Sequence, residues 1–281
     1  MKLIDTVPDF QKYCPHSVKS LREYHKMYPE IFSHYFAHHC QDTDERLSQV
    51  IEKYEDYVSI IQLVHERIPP IIEETVEKYA HIYGVEFPID VNLIVGGFGS
   101  NAYTYRQIIP NITFTMERLS PEHGQLQSIV AHEFGHAAHN IITDKAGTDW
   151  SKMPWTSPLL WMNQEGAATH FSRQIASGLE PSLYFMSHDT GNGWLAFATA
   201  NKEEIKQAFV KDYETNDTSE LFHEWFSIRG GQKYGYTGLA YFLGDLFFQD
   251  QIEKIGEQGA IVAWGEPDFL EEVEVWLYKN E

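Results

Sequence analysis

The 281 residues are 43% hydrophobic and 14% aromatic, enough for a substantial core in one large domain or a catalytic unit with a smaller companion, which excludes a disordered chain. A net charge of -20, from 21 basic and 41 acidic residues, argues against nucleic acid or an anionic membrane as partner. No apolar run approaches the roughly 18 residues needed to span a bilayer.

The opening Met1 to Asp9 is interrupted by charge and proline before a signal-peptide core forms, so export is not expected and the chain reads as cytoplasmic. Cys14 and Cys40 are then expected as reduced thiols. The first 85 residues read as a helical N-terminal region. From Asp42 to Glu66, Leu47, Val50, Ile51, Tyr54, Val58, Ile61 and Leu63 recur near helical spacing. Pro69-Pro70 is expected to end that helix, because proline lacks the N–H and crowds the preceding turn. A second helix then runs to Tyr83 and stops at Gly84. His34 and His38 are also four apart, but with no intervening glutamate and no evident third ligand they are expected on a half-exposed helix face.

From Phe87-Pro88 the texture changes. Asp90 to Val95 reads as a strand, Gly96-Gly97-Phe98-Gly99 as a turn or bulge, and Asn101 to Arg106 as a further short strand. Asn111 to Glu117 alternates polar and apolar residues, which predicts a half-buried strand. The expected class is therefore α+β, mostly helical, with a small mixed sheet just before the next helix. Further helices are expected near 158–177, 202–212, 218–228, 237–254 and 267–278. Asp245, Asp250 and Glu271-Glu272 are expected on solvated faces.

Ser120-Pro121 predicts a helix start, with serine as N-cap and proline at the first helical position. The helix to about Ile142 carries His132-Glu133-Phe134-Gly135-His136. At i and i+4 the two histidines lie about 40° apart on one face, one turn above the other. Two imidazoles so placed can converge on a tetrahedral cation, and Glu133 beside them can touch a metal-held water without displacing it. The flanking Ile129, Val130, Ala131, Phe134, Ala137 and Ala138 predict burial, and buried polar groups need partners.

A catalytic zinc usually takes three protein ligands and leaves a fourth position to water. Downstream stand His139, Asp144, Asp149, Glu165 and His170. His139 is three residues past His136, points partly along the helix and is expected beside the site or on the surface. Asp149 resembles the ligand of an aspartate-using zincin branch, but its spacing after Gly147-Thr148 differs from that branch by two. Glu165 fits best. It lies within a helix opened by Ser157-Pro158 and closed by Gly178 and Pro181, where a carboxylate is costly without a partner. Gly166 beside it weakens the helix, but both it and Ala167 are small and allow a close neighbour.

His132-Glu133-Phe134-Gly135-His136, followed 29 residues on by Glu165-Gly166-Ala167-Ala168, resembles the gluzincin metallopeptidases. It is most similar to a bacterial family of predicted zinc-dependent proteases of unassigned substrate, whose third-ligand helix reads E-G-x-A. The likeness covers about 90 to 250 and implies a zincin-like catalytic domain over 86–281, with one zinc held by His132, His136 and Glu165. A later Tyr-x-x-Gly element of that family matches Tyr241-Phe242-Leu243-Gly244. Some gluzincins carry an aspartate four residues after the glutamate ligand, where this chain has Thr169.

The expected reaction is hydrolysis of a peptide or related amide bond in a peptide or protein substrate, with Glu133 as general base. The oxyanion needs a further donor. Tyr241 is the first candidate, ahead of Tyr234, Tyr236 and His223. The resemblance also implies pairing of extended substrate along a strand edge, at 99–103 or 112–116. The alternative function is a metal-stabilised interaction module, catalytically weak, that binds a partner through its helical N-terminal region.

Overall fold

The computed structural model describes residues 1–13, 15–185 and 191–279, with only the backbone at 191 and 192; the expectation for Cys14 lies outside the described residues. Helix accounts for 69% of the described residues and a small mixed sheet of four strands accompanies it, an α+β arrangement. The chain divides into two units, Met1–Glu133 and Phe134–Glu281.

The first unit opens with a strand, β1 (Lys2–Asp5), which corrects the expectation that residues 1–85 are helical throughout. Four residues are too few to show a period, and β1 exists because a partner far along the chain completes it. Helices α1 (Val7–Tyr13), α2 (Val18–Met27), α3 (Pro29–His38) and α4 (Asp44–Tyr83) follow. Thr43 caps α4 by accepting from the Arg46 N–H at 3.1 Å, and Gly84, left-handed at φ 64°, closes it.

Pro69-Pro70 does not end α4. The helix continues through both, and the expected break is a correction. Two prolines in a helix cost about 3 kcal/mol or more each. Ile61, Val64, Ile68, Ile71, Ile72 and Tyr79 form a buried stripe on both sides of them, and each such side chain contributes about 1.5–3 kcal/mol when removed from water. The carbonyls the prolines leave without an N–H are those of His65 and Glu66, both off that stripe. Packing outweighs propensity here.

The sheet adds β2 (Asp90–Ile94), β3 (Ala102–Thr104) and β4 (Ile112–Thr115) in the order β1-β2-β4-β3. β1 and β2 are parallel with Leu3 opposite Val91, β2 and β4 parallel with Leu93 opposite Phe114, and β3 and β4 antiparallel with Tyr103 opposite Thr113. β4 is buried at all four residues, not half-buried as the alternation predicted. It is an interior strand with both faces covered. On one face Tyr103 stacks on His39 at 3.5 Å between ring centroids, and Tyr105 on His34 at 3.7 Å. On the other Thr104 meets the helix α5 (His123–Lys145).

The loop between β2 and β3 is tied from several sides. Gly97 and Gly99 donate their N–H groups to Tyr35 Oη at 2.8 and 3.0 Å, and Gly96 and Phe98 donate to the Glu117 carboxylate at 3.0 and 3.1 Å. A Cβ on Gly99 would lie 2.1 Å from the His39 carbonyl oxygen, so this position needs glycine. Burial pushes the Glu117 carboxyl above the usual range, opposed by those two N–H groups. Cys40 is a free thiol beside the Gly97 carbonyl.

His25 of α2 is 6% exposed, lies 4.3 Å from the Phe32 ring, and neither of its nitrogens finds a hydrogen bond among the described residues. Burial, aided by nearby Arg22, pushes its pKa down to about 3. The folded state thus binds fewer protons than the unfolded one between about pH 6.5 and 3, and stability falls as pH drops through that window, by about 1.4 kcal/mol per unit. His25→Phe is expected to lose less stability than the unsubstituted protein between pH 7 and pH 5, read from urea midpoints. An equal loss in both would show that His25 does not titrate this way.

The second unit takes the remainder of α5 and the helices α6 (Pro158–Ile175), α7 (Gly191–Ala200), α8 (Lys202–Thr215), α9 (Thr218–Trp225), α10 (Leu239–Val262) and α11 (Phe269–Tyr278). α7 was not among the expected elements, and α10 runs past the expected 254 with a kink at Gly256. Leu159, Leu160, Met162, Phe209, Trp225, Leu243, Phe247 and Trp264 build the core. Asp245, expected on a solvated face, is 8% exposed and ion-paired with Arg173 at 2.7 Å. A buried charge of this kind is held by its partner.

Helices α6 and α10 meet backbone to backbone. A Cβ on Gly166 would lie 2.1 Å from the Gly244 carbonyl oxygen, and one on Gly244 2.1 Å from that of Met162. Gly166→Ala would gain about 1 kcal/mol of helix propensity against an overpacking cost of about 1–3 kcal/mol or more, since rigid backbone must move. A fall in Tm of up to about 8 °C is expected by calorimetry. A raised Tm would contradict the close packing.

Candidate metal centre

Helix α5 starts at His123, two residues later than Ser120-Pro121 predicted. Ser120 still serves the turn: its Oγ accepts the Glu122 N–H at 3.2 Å. Leu126, Ile129, Val130, Phe134, Ala137, Ala138 and Ile141 are buried around the helix, and Tyr79 Oη donates to the Ala131 carbonyl at 2.8 Å. The helix is therefore packed on most sides, and His132 and Glu133 are 1% and 4% exposed.

Glycine again sets the approach of the next helix. A Cβ on Gly135 would lie 3.1 Å from Ala168 Cα and 3.2 Å from its carbonyl oxygen. Gly135 precedes His136, and Ala168 lies one turn past Glu165, so this contact sits beside the pair that matters. His136 Nε2 and Glu165 Oε2 are 3.4 Å apart, each side chain about four-fifths buried at 18% and 19% exposure. Donor atoms of His132, His136 and Glu165 all lie within 4.8 Å of one another, a group that can hold a metal ion.

The donor set fits zinc. Two ligand atoms each about 2.0–2.2 Å from a tetrahedral zinc stand about 3.3–3.5 Å apart. The 3.4 Å between His136 and Glu165 matches that edge and is longer than a usual N–H···O bond. Two imidazoles and one carboxylate are a donor set that zinc accepts.

The competitors for third ligand are engaged elsewhere. His139 is 1% exposed, bonds the Ile261 carbonyl through Nε2 at 2.9 Å and stacks on Trp264, and burial pushes its pKa down to about 3. His170 meets Glu257 at 2.8 Å and Gln249 at 3.2 Å. Asp149 is exposed and accepts from Ser151, and Asp144 accepts from Trp150 Nε1. His34 and His38 belong to no group of three potential ligands among the described residues.

Glu133 has a partner that sequence reasoning missed. Thr104 Oγ1 lies 2.8 Å from Glu133 Oε2 and 3.0 Å from the Glu133 carbonyl oxygen. A threonine in a short predicted strand carries no signal that would single it out.

Among the candidate oxyanion donors, Tyr241 is half-buried on α10, one turn before the Gly244 that abuts Gly166. Tyr236 stacks on Phe197 at 4.8 Å, Tyr234 lies against the same ring at 5.5 Å, and His223 is exposed on α9. Among the described residues no helix is long and apolar enough to cross a membrane. No protein-family model, curated protein or solved structure matches the chain.

Proposed function

We propose that the chain is a zinc-dependent peptidase of zincin-like fold, cleaving peptide or related amide bonds, with one zinc held by His132, His136 and Glu165. The observation that carries this reading is the gathering of those three donor groups beside a buried glutamate on the same helix. Zinc, when bound, acidifies water and polarises a carbonyl oxygen.

The protein's own groups then divide the proton work. Glu133, next to His132 in the chain, takes the proton of the attacking water on its carboxylate and returns it to the leaving nitrogen. Tyr241 is assigned the hydrogen bond to the developing oxyanion, on the strength of its place one turn from Gly244. The 4% exposure of Glu133 supports the assignment, because it keeps the carboxylate from bulk water. A free Cys40 suits a reducing, cytoplasmic setting.

For an extended substrate the sheet order favours the first of the two expected edges. β4 lies between β2 and β3 and has no free side, whereas β3 is an edge strand. The Tyr105 N–H donates to Asn111 and the Thr115 N–H to the Asn101 carbonyl, so Asn101, Tyr103 and Tyr105 turn toward β4. By alternation Ala102 and Thr104 turn their backbone groups outward. The Ala102 N–H already donates to Asn101 Oδ1 at 2.9 Å, so the Ala102 carbonyl and the backbone groups of Thr104 are the ones proposed to pair with substrate.

The test is zinc-dependent cleavage of a broad peptide library, lost with chelator and restored by zinc. No product from zinc-loaded protein would favour the interaction module instead.

A further inference from the structure

Thr104 stands at a junction that neither the motif nor the metal group requires. Its backbone lies on the outward side of edge strand β3, while its side chain turns to α5. The hydroxyl carries one proton and faces two acceptors on Glu133, the carboxylate Oε2 at 2.8 Å and the main-chain oxygen at 3.0 Å. When the Glu133 carboxylate is ionised, its bond is the stronger of the two and takes the proton. β-Branching leaves threonine few χ1 choices, so the strand fixes where the hydroxyl points. Glu133 is 4% exposed, and few waters can replace such a donor.

We infer that Thr104 is a positioning residue for Glu133: its hydroxyl holds one carboxylate oxygen, so that the other is aimed at the attacking water, and it ties that aim to the strand edge on which the substrate lies. The inference rests on the proposed hydrolysis. One residue thus serves both partners of the reaction, its main chain turned to the substrate and its side chain to the base. Orientation of a reacting group is worth a large factor in rate, because a displacement of about 1 Å can cost about 100-fold.

The test is the kinetics of Thr104→Val, which keeps shape and backbone but removes the hydroxyl. Expected are a kcat lowered about 10- to 100-fold, KM within about twofold, and zinc still bound at one per chain. Thr104→Ser, which restores the hydroxyl without the methyl group, should recover kcat to within about threefold. A second readout needs neither metal nor turnover. In metal-free protein the Tm losses of Thr104→Val and Glu133→Ala should be less than additive in the double variant, because both remove one contact. Unchanged kcat in Thr104→Val, no recovery in Thr104→Ser, or additive Tm losses would each overturn the role of Thr104 and leave hydrolysis standing. Failure of the unsubstituted, zinc-loaded protein to cleave any peptide would overturn the hydrolytic reading itself, and the catalytic consequence of Thr104 with it.

Discussion

Glu133→Gln is expected to lower kcat for peptide cleavage by about 10²- to 10⁴-fold while zinc content stays near one per chain, the range that general acid–base catalysis contributes. Glutamine keeps the volume of the side chain and can still accept the Thr104 hydroxyl bond. It loses the ability to take a proton. The fold and the metal group are left alone, because Glu133 is not among the three gathered donors. The measurement pairs steady-state kinetics with elemental analysis of the same sample. A variant retaining more than about a tenth of the activity would remove the base assignment and leave the metal centre as a separate matter.

Glu165→Ala is the other large effect, and it acts on the metal. The substitution takes away the one anionic donor and leaves two imidazoles on α5. Loss of a group that merely supports a ligand typically costs 10- to 100-fold in metal affinity, so loss of a ligand should raise the Kd for zinc by more than about 100-fold. Competition with a chelating dye reads this directly. Asp149→Ala and His170→Ala are the controls, since Asp149 is exposed and His170 is held by Glu257 and Gln249. Both should bind zinc as the unsubstituted protein does. An unchanged Kd in Glu165→Ala, or a loss in either control, would move the third ligand elsewhere.

What could be read from the residues alone follows the range of the forces involved. The spacing of His132 and His136 is a property of one helix, and the capping residues and apolar periodicity that define α5 and α6 lie within a few turns. Both helices stand within three residues of the expected bounds. The choice of Glu165 over its competitors rested on the cost of an isolated carboxylate inside a helix, again a local argument.

The errors share the opposite cause. Pro69 and Pro70 forbid a helix on local grounds, yet α4 continues because its buried stripe depends on neighbours distant in sequence. β1 is a strand only because Asp90–Ile94 lies beside it. Asp245 is buried because Arg173, on another helix, reaches it. Glycine roles divided in a way composition does not show: Gly166 admits α10, while the approach of α6 to α5 depends on Gly135 against Ala168. Thr104 and Glu117 act through partners on other elements, which the identity of the residue does not announce.

One measurement bears most directly on the centre: diffraction from zinc-soaked crystals at the zinc absorption edge. A single anomalous peak about 2.0–2.2 Å from donor atoms of His132, His136 and Glu165 is the expected result. A map with no peak there, or with its strongest peak on other residues, would contradict the proposed centre and the hydrolysis assigned to it.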